Sequence, residues 1–276
     1  MTGFTHRTVL ITGATDGLGR ALARELAAQG ATLILHGRCP AKGRELLAAL
    51  RADTGNENLT YELADFASLA DVRALADRVL STYDRLDVLV NNAGIGVALA
   101  RRESRDGLEL TFQVDYLATY VLSCLLAPLL VRSAPARIVS VSAAGQTPVD
   151  FDDVMLERRW DGVRAYCQAK LAQISLTFDL AERLAPAGVT VNALHPASSM
   201  PTKMVADLFP PQSTLEEGMR HTLRLVTDPA LDGVTGAYFA RDRRARAGAQ
   251  AYNAEARARL RVLSESLTGV ALPVTA

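Results

Sequence analysis

Three stretches of this 276-residue chain hold residues whose type and spacing could do chemistry. The first is Thr12-Gly13-Ala14-Thr15-Asp16-Gly17-Leu18-Gly19. Gly13 permits a tight turn, Gly17 lets backbone approach a pyrophosphate, and Gly19 allows a helix to pack closely on a strand. Free N–H groups at the start of that helix then bind phosphate oxygens. The second stretch is Leu35-His36-Gly37-Arg38. A carboxylate at such a strand end accepts a bond from a ribose 2′-OH, whereas an arginine suits a 2′-phosphate. With no acid there, Arg38 points to NADP(H). The third is Tyr166 and Lys170, four residues apart and so on one face of a helix. That spacing is common on surface helices and takes its meaning from the glycine-rich turn upstream.

The elements that must position these residues follow from hydrophobic periodicity. Short apolar runs at Thr8–Ile11, Thr32–Leu35, Leu59–Leu63, Leu86–Val90, Arg137–Val141, Val189–Leu194 and Gly236–Phe239 read as strands. Between them lie helical patterns over about 18–29, 42–51, 69–80, 107–130 and 164–184. Alternation of this kind predicts an α/β class, a Rossmann-type doubly wound parallel sheet of about seven strands with helices on both faces. No repeat or linker interrupts it, so residues 1–276 form one domain. Ligands in such a sheet sit outside the carboxyl ends of the strands, where strand order reverses. The turns after strands one, two, four, five and six therefore line one crevice.

Composition narrows the function classes. Lys+Arg 30 balances Asp+Glu 30, which leaves no electrostatic footprint for nucleic acid. The Arg-rich stretch at 241–246 reads as a solvated helix start. Cys39, Cys124 and Cys167 form no CxxC pair, and the four histidines lack metal-ligand spacing, so neither a disulfide frame nor a metal site is expected. The N-terminus lacks a signal-peptide pattern and no run reads as a membrane span, so the expectation is a soluble cytoplasmic protein.

Asn91-Asn92-Ala93-Gly94 follows the fourth strand, and Tyr166-Cys167-Gln168-Ala169-Lys170 lies in the later helix. With the GxxxGxG turn, these motifs resemble the short-chain dehydrogenase/reductase family. Thr235-Gly236-Ala237-Tyr238-Phe239 and the Arg/Ala-rich helix after it look most like its retinol-dehydrogenase-like branch. The resemblance runs from Arg7 to about Leu267. It implies that Tyr166 gives a proton to a carbonyl oxygen while hydride arrives from the nicotinamide. It implies that Lys170 binds the nicotinamide ribose and lowers the Tyr166 pKa. Asp65, with Phe66 beside it, is implied at the adenine, and Asn91, Asn92, Ala93 and Gly94 at the adenosine ribose and crevice floor. Pro196 and Thr202 are implied beside the nicotinamide amide. Family members are commonly dimers or tetramers through the two long helices, which implies a homo-oligomer.

Three positions depart from the family pattern. The segment Ser140-Val141-Ser142-Ala143 puts Ala143 where the family carries a catalytic serine. Losing one such donor costs on the order of 2.7–4 kcal/mol, about a hundred- to a thousand-fold in rate. Ser142 is adjacent, but strand alternation points it the other way unless the strand end twists. Thr147, Ser198 and Ser199 are further candidates. Asp115 stands where the family has asparagine. If it faces Lys170 it partly neutralises the ammonium, keeps Tyr166 protonated and favours reduction over oxidation. Pro196-Ala197 replaces a Pro-Gly, and His195 reads as a strand-end packing residue.

Loops near 97–105, 144–162 and 197–214 are expected around the substrate. They offer Val97, Leu99, Phe151, Met155, Trp160, Met204, Leu208 and Phe209, with a lid over about 201–214. This fits a hydrophobic, even polycyclic, carbonyl substrate of the kind found in secondary metabolism. Two other readings stay open: imine or C=C reduction or cyclisation in the same cofactor pocket, and a non-catalytic dinucleotide-binding protein.

Overall fold

Residues such as Val9, Leu10 and Ile11 have no exposed surface at all, as expected for a parallel strand covered on both faces. A computed structural model describes residues 4–202 and 210–274. Its strands are β1 (Thr8–Ile11), β2 (Thr32–Gly37), β3 (Leu59–Leu63), β4 (Val88–Asn91), β5 (Ala136–Val141), β6 (Val189–His195), β7 (Ala237–Ala240) and β8 (Arg243–Ala245). They form one sheet in the order β3-β2-β1-β4-β5-β6-β7-β8. β1 pairs with β2 on one side and β4 on the other, so strand order reverses there and the crevice opens at their carboxyl ends.

The eighth strand corrects the expectation of about seven. Residues 241–242 turn the chain, and Arg243–Ala245 returns antiparallel to β7. The Arg-rich stretch is therefore a short charged edge strand, a device that blocks further pairing, and not a helix start.

Helices α1 (Gly17–Ala28), α2 (Pro40–Thr54) and α3 (Leu69–Thr82) follow the first three strands. The single helix expected over about 107–130 comes in three pieces. They are α4 (Leu110–Phe112), a π-helical turn (Gln113–Leu117) and α5 (Ala118–Arg132). π-turns shift side chains around the helix axis and recur at functional sites. The whole run Leu110–Arg132 is long and apolar enough to cross a membrane by composition, unlike the reading above. However, 83% of its apolar window is buried inside the fold, as in a core helix. α6 (Gly162–Leu184) precedes β6, α7 (Leu215–Thr227) precedes β7, and α8 (Ala254–Thr268) closes the described chain. α7 has no counterpart among the expected helices; it starts at a capping box in which Thr214 and Glu217 bond each other's backbone N–H.

Both long helices, α5 and α6, are buried along most of their length. α8 and the tail after it cover them. Tyr116 and Ser264 share a hydrogen bond of 2.7 Å, and the Tyr120 hydroxyl donates to the Val270 carbonyl at 2.8 Å. Arg257 pairs with Asp179 on α6 at 3.1 Å. The surface that the resemblance implies for oligomer contacts is thus already packed within one chain.

Two of the expected substrate-loop residues also turn inward. Phe151 and Met155 pack against the core cluster beneath α5, with Phe151 under the Arg259 guanidinium at 4.6 Å. Leu99 is 92% exposed, while Val97 and Trp160 are half-buried. Met204, Leu208 and Phe209 lie outside the described residues.

Candidate active site

The turn between β1 and α1 is held from two sides. Gly13 adopts φ +66°, and a Cβ there would meet the Ala93 backbone at 2.8 Å, so glycine lets two crevice-floor turns touch. The Asn92 side-chain amide donates to the carbonyls of Thr12 at 2.8 Å and Gly13 at 3.2 Å. The Thr12 hydroxyl accepts the N–H groups of Asn92 and Ala93, both at 2.9 Å. On the β2 side, the Ala14 N–H donates to the His36 carbonyl at 2.8 Å and the Gly13 N–H to His36 Nδ1 at 3.2 Å. Asp16 caps α1 by accepting the Gly17 N–H at 2.9 Å. Thr15 is half-buried beside Gly37, and the Leu18 side chain packs into the core, leaving its backbone to the crevice. Any side chain at Gly19 would strike the Gly13 carbonyl, which accounts for the third glycine.

Arg38 follows β2, exposed, and makes no hydrogen bond or ion pair among the described residues. Beyond β3, the Asp65 carboxylate accepts the Ala67 N–H at 3.1 Å and lies 3.3 Å from Arg105. Phe66 stacks flat on His36, centroids 4.3 Å apart. Asn91 is turned away from the crevice: its amide donates to Ser123 on α5 at 2.9 Å, so Asn92, not Asn91, shapes the floor. Gly94 lies against Asp115, whose oxygens stand 3.2–3.3 Å from where a Cβ would sit.

The π-turn and α6 converge next to these turns. Lys170 is 3% exposed and Asp115 is fully buried, with Nζ and Oδ2 3.2 Å apart. The other Asp115 oxygen accepts the Ile95 N–H at 2.7 Å, tying the π-turn to the turn after β4. Lys170 Nζ also donates to the Val141 carbonyl at 3.4 Å and lies 5.5 Å from the Tyr166 ring centroid. Burial pushes the Asp115 carboxyl up, while the Lys170 ammonium opposes that rise. Burial, then the Asp115 charge, holds the Tyr166 phenol above its ordinary pKa. The expected Asp115–Lys170 pairing is thus present, and the Tyr166 phenol stays protonated at neutral pH.

The end of β5 carries Ser142 and Ala143. The Ser142 hydroxyl donates to the Lys170 carbonyl at 2.9 Å, so its proton braces α6 and is not offered to a substrate. The Ala143 carbonyl accepts from Tyr238 at 3.0 Å and from Gln146 at 2.9 Å. Burial pushes the Tyr238 phenol up to about 12. No sequence motif marks Tyr238 or Gln146 as part of the site; the Tyr238–Ala143 bond joins residues far apart in the chain. The Thr147 N–H donates to the Cys167 carbonyl at 3.4 Å.

After β6, the Pro196 carbonyl is paired with the His221 ring at 2.8 Å. Ser198 is paired with the His195 ring at 3.0 Å, and Ser199 adopts φ +45°. His195 is pulled down to about 4 by burial and by Arg241 and His221, in keeping with a packing residue. The Thr202 methyl lies 3.2 Å from where a Gly17 Cβ would sit, which puts Thr202 over the start of α1.

A family model described as "short chain dehydrogenase" matches residues 7–213. Retinol dehydrogenase 13 of Mus musculus is 39% identical over 193 residues, 69% of this chain and 58% of the relative. The chain thus spans less than two thirds of that relative's length. Retinol dehydrogenase 12 of Homo sapiens is 32% identical over 96% of this chain and 87% of its own length. A crystal structure of an uncharacterized protein from Mycobacterium paratuberculosis superposes with TM-score 0.82 and 30% identity, over 99% of this chain and 97% of the other. A structure from Escherichia coli CFT073, described as a short chain dehydrogenase complexed with NADPH, gives TM-score 0.71 and 28% identity. Its match covers 87% of this chain and 98% of that one.

Proposed function

The chain belongs to the short chain dehydrogenase family, and from that premise we propose that it is an NADP(H)-dependent reductase of a hydrophobic carbonyl compound. The observation that carries this reading is the cluster of half-buried Tyr166 with buried Lys170 and Asp115, tied through Ile95 to the turn after β4. A dinucleotide held there would supply the hydride for the carbonyl carbon. The start of α1 would hold its pyrophosphate through backbone N–H groups that the Asp16 cap leaves open, and Arg38, which has no ion-pair partner among the described residues, would take its 2′-phosphate. Asp65 and Phe66 border the adenine, Asn92, Ala93 and Gly94 the floor, and Pro196 and Thr202 the nicotinamide side. Lys170 would hold the nicotinamide ribose, and Tyr166 would give its proton to the carbonyl oxygen. The proton returns to Tyr166 from solvent.

One observation favours a second reading. Ala143 offers no hydroxyl to a carbonyl oxygen, and Ser142 has spent its own on Lys170. Reduction of an imine or an activated C=C bond needs that donor less. NADPH oxidation against a panel of hydrophobic ketones and imines, with Tyr166→Phe as control, tests both. Turnover of ketones that fails in Tyr166→Phe is the expected result. Turnover of imines alone favours the second reading, and tight NADPH binding with no turnover favours a non-catalytic protein.

A further inference from the structure

One buried ring beside the cofactor turn has no part in the reading above. His36, 3% exposed on β2, accepts the Gly13 N–H at Nδ1 and meets the Ala64 carbonyl at Nε2, 3.1 Å away. Only the neutral ring protonated at Nε2 makes both bonds. Its face lies on Phe66 with an interplanar angle of 14°. A core histidine would serve the strands. This one serves the segments that leave three strands at their carboxyl ends: the turn after β1, its own β2, and the residues after β3.

We propose that His36 is a positioning residue for the adenosine half of the dinucleotide, fixing the glycine turn relative to the wall formed by Ala64, Asp65 and Phe66. The proposal rests on the NADP(H) reading. The glycine turn is already bound from the β4 side by Asn92 and Thr12. Without His36, the only side-chain hydrogen bond from β2 itself to the glycine turn is gone among the described residues. What remains on that side is the backbone bond from Ala14 to the His36 carbonyl and, from α2, the exposed Lys42–Asp16 ion pair at 4.0 Å. Gly13 and Ala64 then lose a shared partner, and the gap between the pyrophosphate turn and the adenine wall is no longer set. The nicotinamide half, built on β4, β5 and α6, does not touch this ring.

The test uses the full chain and three probes: 2′,5′-ADP for the adenosine half, reduced nicotinamide mononucleotide for the other half, and NADPH itself. His36→Phe keeps an aromatic ring on Phe66 but removes both hydrogen bonds. His36→Gln restores one acceptor and one donor. Calorimetry is expected to show His36→Phe binding 2′,5′-ADP about tenfold or more weakly, the loss of one buried hydrogen-bonded link. His36→Gln recovers most of that loss, and the mononucleotide affinity is the same in all three proteins. The KM for NADPH rises while kcat at saturating NADPH is kept, a split that loosening of the whole fold would not give. Unchanged 2′,5′-ADP affinity in His36→Phe overturns the proposal. So does equal weakening of both half-probes, or a glutamine variant as weak as the phenylalanine one. If the wild-type chain binds no 2′,5′-ADP, the cofactor reading itself fails.

Discussion

Replacing Asp115 by asparagine removes one negative charge beneath Tyr166 and keeps a carbonyl oxygen for the Ile95 N–H. In the native site Asp115 and Lys170 stand 3.2 Å apart, an attraction of roughly 5 kcal/mol at an effective dielectric constant of about 20. The pair has no net charge, so the ammonium 5.5 Å from the Tyr166 ring does little to stabilise a tyrosinate. The other ionisable groups around that phenol are Cys167 on its own helix and Tyr238 on β7, both neutral at pH 7. With asparagine the ammonium acts alone, at a range where an opposite charge lowers an acid's pKa by about 1–3 units. The Tyr166 midpoint therefore falls by that amount, about 1.4–4 kcal/mol in favour of the tyrosinate. The assay is a tyrosinate absorbance titration of each protein, with the matching Tyr166→Phe protein subtracted. The ratio of alcohol oxidation to carbonyl reduction at fixed pH rises in parallel. Breaking a buried pair also costs about 3–5 kcal/mol of stability, so the titration is run in the cold with circular dichroism as a check on folding. Coincident midpoints in a folded Asp115→Asn protein would refute the argument that the aspartate holds the proton on Tyr166.

Ala143→Ser supplies the absent donor, and ketone reduction should rise by up to a hundred- to a thousand-fold, about the worth of one such group; no gain in kcat/KM turns attention to imines. Arg38→Leu should cut the preference for NADPH over NADH by about ten- to a hundredfold, the value of a hydrogen bond to a charged group, as read by competitive titration. His36 is held neutral by burial, with its pKa down at about 4 from 6.5. The unfolded chain therefore takes up this proton first, and stability present above pH 6.5 is lost as pH falls toward 4. The loss is up to about 3 kcal/mol, visible as a falling urea midpoint that is flatter in His36→Phe. Because α8 covers α5 and α6, the chain should sediment as a monomer, and a concentration-dependent dimer in ultracentrifugation would contradict that.

Much of this site is readable from the chain because its signals are local. Apolar runs of four to six residues mark the buried strands, and the glycine turn sits between the first strand and helix where its backbone requires it. Tyr166 and Lys170 share a helix face by spacing alone. The Asp115 contact is different: it depends on the π-turn at Gln113–Leu117, and a regular helix pattern does not foretell where that side chain points. The roles of His36 and Tyr238 come from partners brought together by the sheet, Gly13 and Ala64 for one and the Ala143 carbonyl for the other. Phe151 and Met155 look like substrate-loop residues because they lie between elements, yet the core has room for them. α7 did leave a local sign, the Thr214-x-x-Glu217 capping box, and β8 left none because three Arg-rich residues match no strand pattern.

The most direct test of the central claim is to follow the label from NADPH deuterated at C4 into product, in wild type and Tyr166→Phe. The account expects deuterium on the former carbonyl carbon in the wild type, and retained NADPH binding with little product in the variant. Product without deuterium, or equal product from both proteins, would contradict it.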